Sequence, residues 1–209
     1  MTARLVILLR HGVTEWNAGR RFQGHADIPL SPDGVAQAEA AARILADYRP
    51  GRVLTSDLDR AAHTARIVAE AAGVTAEPDP RFREVDVGSW AGLDLDTIAE
   101  VEPDFWPAIG EGRDFRRSPE GETATEAGQR VADALVDYAT AAGEGEVLVV
   151  VGHGLSLGVA AFLLMGLDYS HARRFGGLLN CGWVELQPGD GHWKLRAYNR
   201  IASGVAEVS

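Results

Sequence analysis

Two histidines, two arginines and a glutamate are the residues of this chain whose types and spacing could do chemistry. They stand in Arg10-His11-Gly12, in Ser56-Asp57-Leu58-Asp59-Arg60, at Arg83-Glu84 and in Gly152-His153-Gly154. An imidazole with a pKa of about 6.5 is largely unprotonated at pH 7, so it can attack an electrophilic phosphorus. The phosphoryl transition state spreads negative charge over three equatorial oxygens, which cationic and N–H donors stabilise. Arg10, Arg60, Asn17 and the second histidine, His153, are donors of that kind. A carboxyl group such as Glu84 can protonate the departing oxygen and then deprotonate an attacking water. The set suits phosphomonoester chemistry without a metal. Taken singly, each residue has a plainer explanation: a loop histidine with a local hydrogen bond, a solvated arginine, a glutamate paired with Arg81 or Arg83.

The elements that must assemble them are legible from pattern. Residues 5–9 form a continuous apolar run of the kind buried on both faces of a sheet, and residues 146–151, apolar from Val147 onward, read as a second such strand. Residues 52–55 read as a short strand, and residues 82–87 as another. Ser31, Pro32 and Asp33 start a helix as cap, first-turn proline and acid; Val35, Ala38, Ala42 and Leu45 then repeat at helical spacing until Pro50-Gly51. Ser56 or Asp57 is expected to cap a second helix that runs to Ala72 and stops at Gly73. Residues 88–121, with Pro103, Pro107 and Pro119, read as one short helix at 95–101 followed by an irregular excursion. Helices follow at 123–142 and 154–164, then paired strands at 181–187 and 192–198. Strands alternating with helices predict an α/β fold with a mostly parallel sheet, in one domain spanning 1–209. Ligands of such sheets sit outside the carboxyl ends of the strands. Arg10-His11, Ser56 to Arg60 and His153-Gly154 fall at those ends and Arg83-Glu84 lies beside the third strand, so the five reactive residues are expected on one edge.

Composition removes whole classes of function. Twenty basic residues against thirty acidic ones leave a net charge of −10, which argues against a nucleic-acid partner. A single cysteine, Cys181, excludes an internal disulfide and a Cys-rich zinc site. No stretch approaches the roughly 20 apolar residues of a membrane span. The run at 5–9 is too short for a signal-peptide core. A cytoplasmic protein without membrane contact is expected. Lys194 is the single lysine, so the remaining basic residues carry the planar fork suited to phosphate and carboxylate oxygens.

The motif R-H-G-V-T-E-W-N at 10–17 resembles the opening motif of the histidine phosphatase superfamily, in its phosphoglycerate-mutase-like branch. F-Q-G-H-A-D-I-P-L-S-P-D-G (22–34), S-D-L-D-R-A-A-H-T-A (56–65), R-E-V-D-V-G-S-W-A-G (83–92), E-G-E-T (120–123) and G-H-G (152–154) resemble the same pattern, in order, over nearly the whole chain. The resemblance implies a three-layer α/β/α sandwich with a mostly parallel central sheet. It implies that His11 becomes phosphohistidine, that Arg10, Arg60 and His153 bind the phosphate with Asn17 and Gly154, and that Glu84 is the proton donor. Gln23 and the backbone of Gly24 would line the pocket near the substrate, and no cofactor or metal is implied. Cofactor-dependent mutases of the family carry a longer, basic, tyrosine-containing segment after the glutamate. Here residues 85–92 are short and acidic, which favours hydrolysis over mutase activity. The segment F-G-G-L-L-N-C-G-W-V-E-L (175–186), with Trp193 and Tyr198-Asn199, is similar to actinobacterial glucosyl-3-phosphoglycerate phosphatases. A small phosphorylated metabolite of that kind is the expected partner, with Arg113, Arg116 and Arg117 as candidates for its carboxylate. Exposed apolar residues on a C-terminal strand would support a homodimer.

Three other readings compete. Gly154-Leu155-Ser156-Leu157-Gly158 fits G-x-S-x-G, with Asp168 or Asp190 and His192 following in order, as in a serine hydrolase. Ser156 would lie about one turn inside a helix, however, rather than at a strand–helix elbow. A binuclear metal hydrolase would use His11 and His153, but no local ligand spacing supports it. A non-catalytic anion-binding module would keep the pocket yet have no need of Glu84. His25, His63, His171 and His192 have no strand-end position and are read as structural.

Overall fold

β1 (Leu5–Arg10) and β4 (Val147–Gly152) pair in parallel at the centre of a six-stranded sheet, in register from Leu5 opposite Val147 to Arg10 opposite Gly152. The computed structural model describes residues 2–203. β2 (Arg52–Thr55), β3 (Ala76–Pro78), β5 (Trp183–Gln187) and β6 (Lys194–Arg200) complete the sheet in the order β3-β2-β4-β1-β5-β6. The pairings from β3 to β1 are parallel, and β5 and β6 run antiparallel at one edge. Side chains alternate as strand geometry demands. Val6, Leu8, Leu148 and Val150 pack into one core with helices α6 (Ala124–Ala141) and α7 (Gly154–Leu164). Ile7, Leu9, Val149 and Val151 pack into the other with α2 (Pro32–Ala46) and α3 (Asp59–Ala72). That is the expected three-layer α/β/α sandwich, and it explains why the central strands are apolar at every position.

Helix termini follow local chemistry in most places. The Ser31 hydroxyl accepts from Gly34 N ahead of Pro32, and Thr123 with Glu126 forms a reciprocal capping box on α6. Gly73 closes α3 in the left-handed conformation that favours glycine. α1 (Glu15–Ala18) and α4 (Leu95–Val101) are short; the second is where its pattern placed it.

Four expectations need correction. Residues 82–87 form no strand: Pro80–Phe82 is a 3₁₀ turn, and the chain beyond it hangs on side chains rather than a ladder. The third parallel strand is β3, three residues long and polar, which gives no hydrophobic signal. Neither Ser56 nor Asp57 is the N-cap of α3; Leu58 is, and Asp27 Oδ1 accepts from Asp59 N at 2.7 Å from another loop. The excursion is less irregular than its prolines suggest. It contains α5 (Phe105–Glu111), with Pro107 in the first turn, where no N–H is needed. Trp90, Ile98, Phe105 and Val87 give the excursion its own small core, against which Phe22 and Phe115 pack. No described helix is long and apolar enough to cross a membrane.

Candidate active site

The ends of β1, β4 and β2 lie side by side, and the ladder delivers their next residues together. His11 N donates to Gly152 O at 3.0 Å, and Ser56 N donates to Val151 O at 3.0 Å. The rings of His11 and His153 meet edge to face, with centroids 5.2 Å apart. Gly12 is required by packing: a Cβ there would lie 2.3 Å from Gly34 O, at the start of α2. Its N–H donates to Thr64 Oγ1, which itself donates to the Arg60 carbonyl, so α3 is tied to the His11 turn.

His11 is 3% exposed, and its Nδ1 lies 2.7 Å from Gly12 O. A carbonyl only accepts, so Nδ1 carries the proton and Nε2 keeps its lone pair. Burial first, then the charges of Arg60 and Arg10, hold the imidazole well below its usual range. The cations that would bind an anion therefore also keep His11 neutral.

Arg10 gives Nη1 to Leu178 O at 2.6 Å, and Arg60 gives Nη1 to Ala26 O and Nη2 to Gly24 O at 2.7 and 2.8 Å. Both Nε–H groups are buried without a partner among the described residues, as is His153 Nδ1. An unsatisfied buried polar group costs about 1–3 kcal/mol, a cost that a bound anion would offset. Burial lowers both guanidinium pKa values, that of Arg60 to about 10, so each stays cationic at neutral pH. Burial and the same positive neighbours keep His153 neutral; its Nε2 lies 2.9 Å from Ser56 Oγ.

Asn17 spends its Oδ1 on Thr14 N and Thr14 Oγ1, both at 3.0 Å, which leaves its NH₂ for a ligand. Gly24 needs its left-handed φ of 49° and the absence of a Cβ, which would meet Val87 Cγ2 at 2.5 Å. Glu84 rests its carboxyl group on the first turn of α7. Oε1 accepts from Ser156 N and Val85 N at 2.9 Å, and Oε2 from Leu155 N at 3.2 Å.

A cavity of about 650 Å³ opens over this cluster, and Arg10, His11, Asn17, Gln23, Gly24, Arg60 and Glu84 all reach its wall. His153 and Gly154 do not. His153 is fully buried beneath His11, and Gly154 lies behind Arg10, where a Cβ would be 3.3 Å from Arg10 Cδ. Of the three excursion arginines, Arg117 alone lines the cavity, 2% exposed and bonded through Nη2 to Tyr169 Oη at 3.2 Å. Arg113 is instead paired with Asp104 and Glu111, and Arg116 with Glu126.

Several residues at the site were not singled out as site candidates in the sequence. Asn180 donates to His11 O at 3.0 Å and reaches Asn17 Oδ1 at 3.4 Å from a loop 169 positions away from His11. Arg20, Arg21 and Phe22 form part of the outer wall. His25, read as structural, donates from Nε2 to Glu84 O at 2.8 Å and so braces the site. The serine-hydrolase arrangement is not assembled. Ser156 Oγ is buried without a partner inside α7, while His192 packs against Gly166 beyond the other end of that helix. Among the described residues no three His, Cys, Asp or Glu side chains are grouped to hold a metal ion.

The chain belongs to the histidine phosphatase superfamily (branch 1), whose sequence profile matches residues 6–201. It is similar to the mycobacterial glucosyl-3-phosphoglycerate phosphatase solved with VO3: 30% identity, TM-score 0.86, covering 94% of this chain and 98% of that one. It is also similar to the phosphoserine phosphatase of Entamoeba histolytica solved with 3-phosphoglyceric acid, at 25% identity and TM-score 0.82, over 94% and 96% of the two chains. A relative from Yersinia pestis named "Probable phosphoglycerate mutase" is 36% identical over 188 residues, 90% of this chain and 86% of that protein.

Proposed function

We propose that the chain hydrolyses phosphomonoesters through a phosphohistidine on His11, without a metal. The observation that carries this reading is a neutral, buried His11 whose free Nε2 shares one cluster with two cationic arginines holding unpartnered N–H groups. His11 Nε2 bonds to phosphorus as the ester P–O bond breaks, and Glu84 gives its proton to the departing oxygen. Water then attacks phosphorus, the P–N bond breaks, and the water's proton passes to Glu84. Orthophosphate leaves and His11 is restored. The first turn of α7 fixes where the Glu84 carboxyl group stands for both proton transfers.

Glucosyl-3-phosphoglycerate, or a related acidic phosphate ester, is the proposed substrate. The similarity to phosphatases named for glucosyl-3-phosphoglycerate and phosphoserine supports it. So does a cavity of about 650 Å³, which is room for an alcohol larger than a three-carbon acid. Arg20, Arg21 and Arg117 on its wall supply cations for a carboxylate. The short, acidic segment 85–92 favours hydrolysis over the mutase activity for which the Yersinia relative is named.

The test is phosphate release from a panel of esters in excess chelator. The panel holds 4-nitrophenyl phosphate, 3-phosphoglycerate, phosphoserine and glucosyl-3-phosphoglycerate. Wild type should release phosphate despite the chelator and favour the glucosyl ester, and His11→Ala should abolish turnover. Release that needs added metal, or that survives loss of His11, would refute the mechanism.

A further inference from the structure

Glu84 lies on a segment that no strand holds, and one side chain of α6 gathers that segment. Arg130 donates through Nη1 to Arg81 O at 2.8 Å and Arg83 O at 3.1 Å, and through Nη2 to Glu84 O at 3.3 Å. The same guanidinium is held from behind by Glu122, with Nη2 to Oε2 at 2.8 Å. Glu122 closes the clamp: its Oε2 accepts from Asp86 N at 3.0 Å, and its own N–H donates to Asp86 O at 2.8 Å. Gly121 lets these backbones approach, since a Cβ there would lie 2.6 Å from Asp86 O. The backbone on both sides of Glu84 is thereby attached to α6, while its carboxyl group rests on α7, and α6 packs against α7.

We infer that Arg130 is a positioning residue for the proton-transfer step: it sets where the Glu84 carboxyl stands relative to the departing oxygen. The inference rests on the reading of Glu84 as proton donor. A planar fork with several N–H groups can bridge three carbonyls and a carboxylate at once, which an ammonium group cannot. Without it, Glu84 keeps its bonds to α7 and Glu122 keeps Asp86, but the main chain of residues 81–84 loses its tie to α6 and Glu84 O is left with His25. Misplacing a proton donor by about an ångström costs on the order of a hundredfold.

The consequence is selective. An alkyl ester such as 3-phosphoglycerate has a poor leaving group and needs the proton; 4-nitrophenyl phosphate scarcely does. The quantity to measure is kcat/KM, which reports steps through phosphorylation of His11 and excludes the hydrolysis common to both substrates. Arg130→Met should lose about 10- to 100-fold on the alkyl ester and less than about threefold on the aryl ester. Arg130→Lys, which keeps the charge and most of the stem, should show the same selectivity if Arg130→Met folds poorly.

A double-mutant cycle separates positioning from general damage. Glu84→Gln should show the same leaving-group dependence, and adding Arg130→Met to it should slow the alkyl ester no further. Equal losses on both esters, no loss on either, or multiplication of the two single effects would overturn the role of Arg130. If Glu84→Gln itself lacks leaving-group dependence, the reading of Glu84 falls and the inference falls with it. Dependence in Glu84→Gln without dependence in the Arg130 variants would overturn the inference alone.

Discussion

The site is built in two ways. Arg10, His11 and His153 follow directly from adjacent parallel strands, so main-chain hydrogen bonds of β1 and β4 bring them together. Glu84 stands six residues beyond β3, and side chains hold it: Arg130, Glu122 and His25 grip its backbone. The first arrangement tolerates almost no change of backbone but depends little on any one distant side chain. The second is the reverse. The proposed nucleophile, held by the sheet, and the proposed proton donor, held by removable contacts, should therefore fail differently when mutated.

The largest expected effect is on the strand-end side. Gly12→Ala drives a Cβ to 2.3 Å from Gly34 O, where backbone meets backbone and neither can swing away. It should cost about 3 kcal/mol, at the upper end for overpacking, and lower the melting temperature by roughly 6–12 °C. Calorimetry showing a change within 1 °C would mean that this turn is softer than its packing suggests.

Acid should expose the same region next. His11 and His153 are held neutral in the fold and regain a pKa of about 6.5 on unfolding. The unfolded chain then binds more protons, so stability rises with pH; it is present above about pH 6.5 and lost as pH falls below it. Two such groups contribute a slope of up to about 2.7 kcal/mol per pH unit, and His153→Gln should halve that contribution. Urea denaturation at pH 7.5, 6.5 and 5.5 measures both slopes; identical slopes would mean that His153 is not held neutral by the fold.

The smallest effect concerns a residue that looked attractive in the sequence. Arg113 is exposed and paired with Asp104 and Glu111, away from the cavity wall. Arg113→Gln should leave KM for a phosphoglycerate ester within about twofold. A tenfold rise would place the substrate's carboxylate on the excursion rather than at the cavity wall.

Legibility in the sequence divides along the same line. The apolar run at 5–9 and the largely apolar strand read at 146–151 located β1 and β4, and strand-end chemistry then put His11 and His153 on one edge. Ser31-Pro32 and Thr123 marked helix starts because caps act over three or four residues. β3 escaped because Ala-Glu-Pro carries no periodicity, and residues 82–87 read as a strand although their apolar residues serve two different cores. Phe82 packs into the α6–α7 core, whereas Val87 packs with the excursion. Arg113, Arg116 and Arg117 are equivalent in sequence and each makes an ion pair, yet of the three Arg117 alone lines the cavity.

What the sequence determined by itself is everything that depends on near neighbours and on residue type. That covers the central strands, most helix starts, the R-H-G turn and the chemistry available at the sheet's edge. Tertiary structure decided which arginines line the cavity and which do not, how Asn180 reaches His11, and what holds Glu84. The physical reason is distance along the chain. A strand or cap is chosen by forces acting over a few residues, but an arginine's partner is whichever acceptor the folded chain sets beside it. Arg130, on the face of an amphipathic helix, looks like any solvated charge until the fold places three carbonyls in front of it.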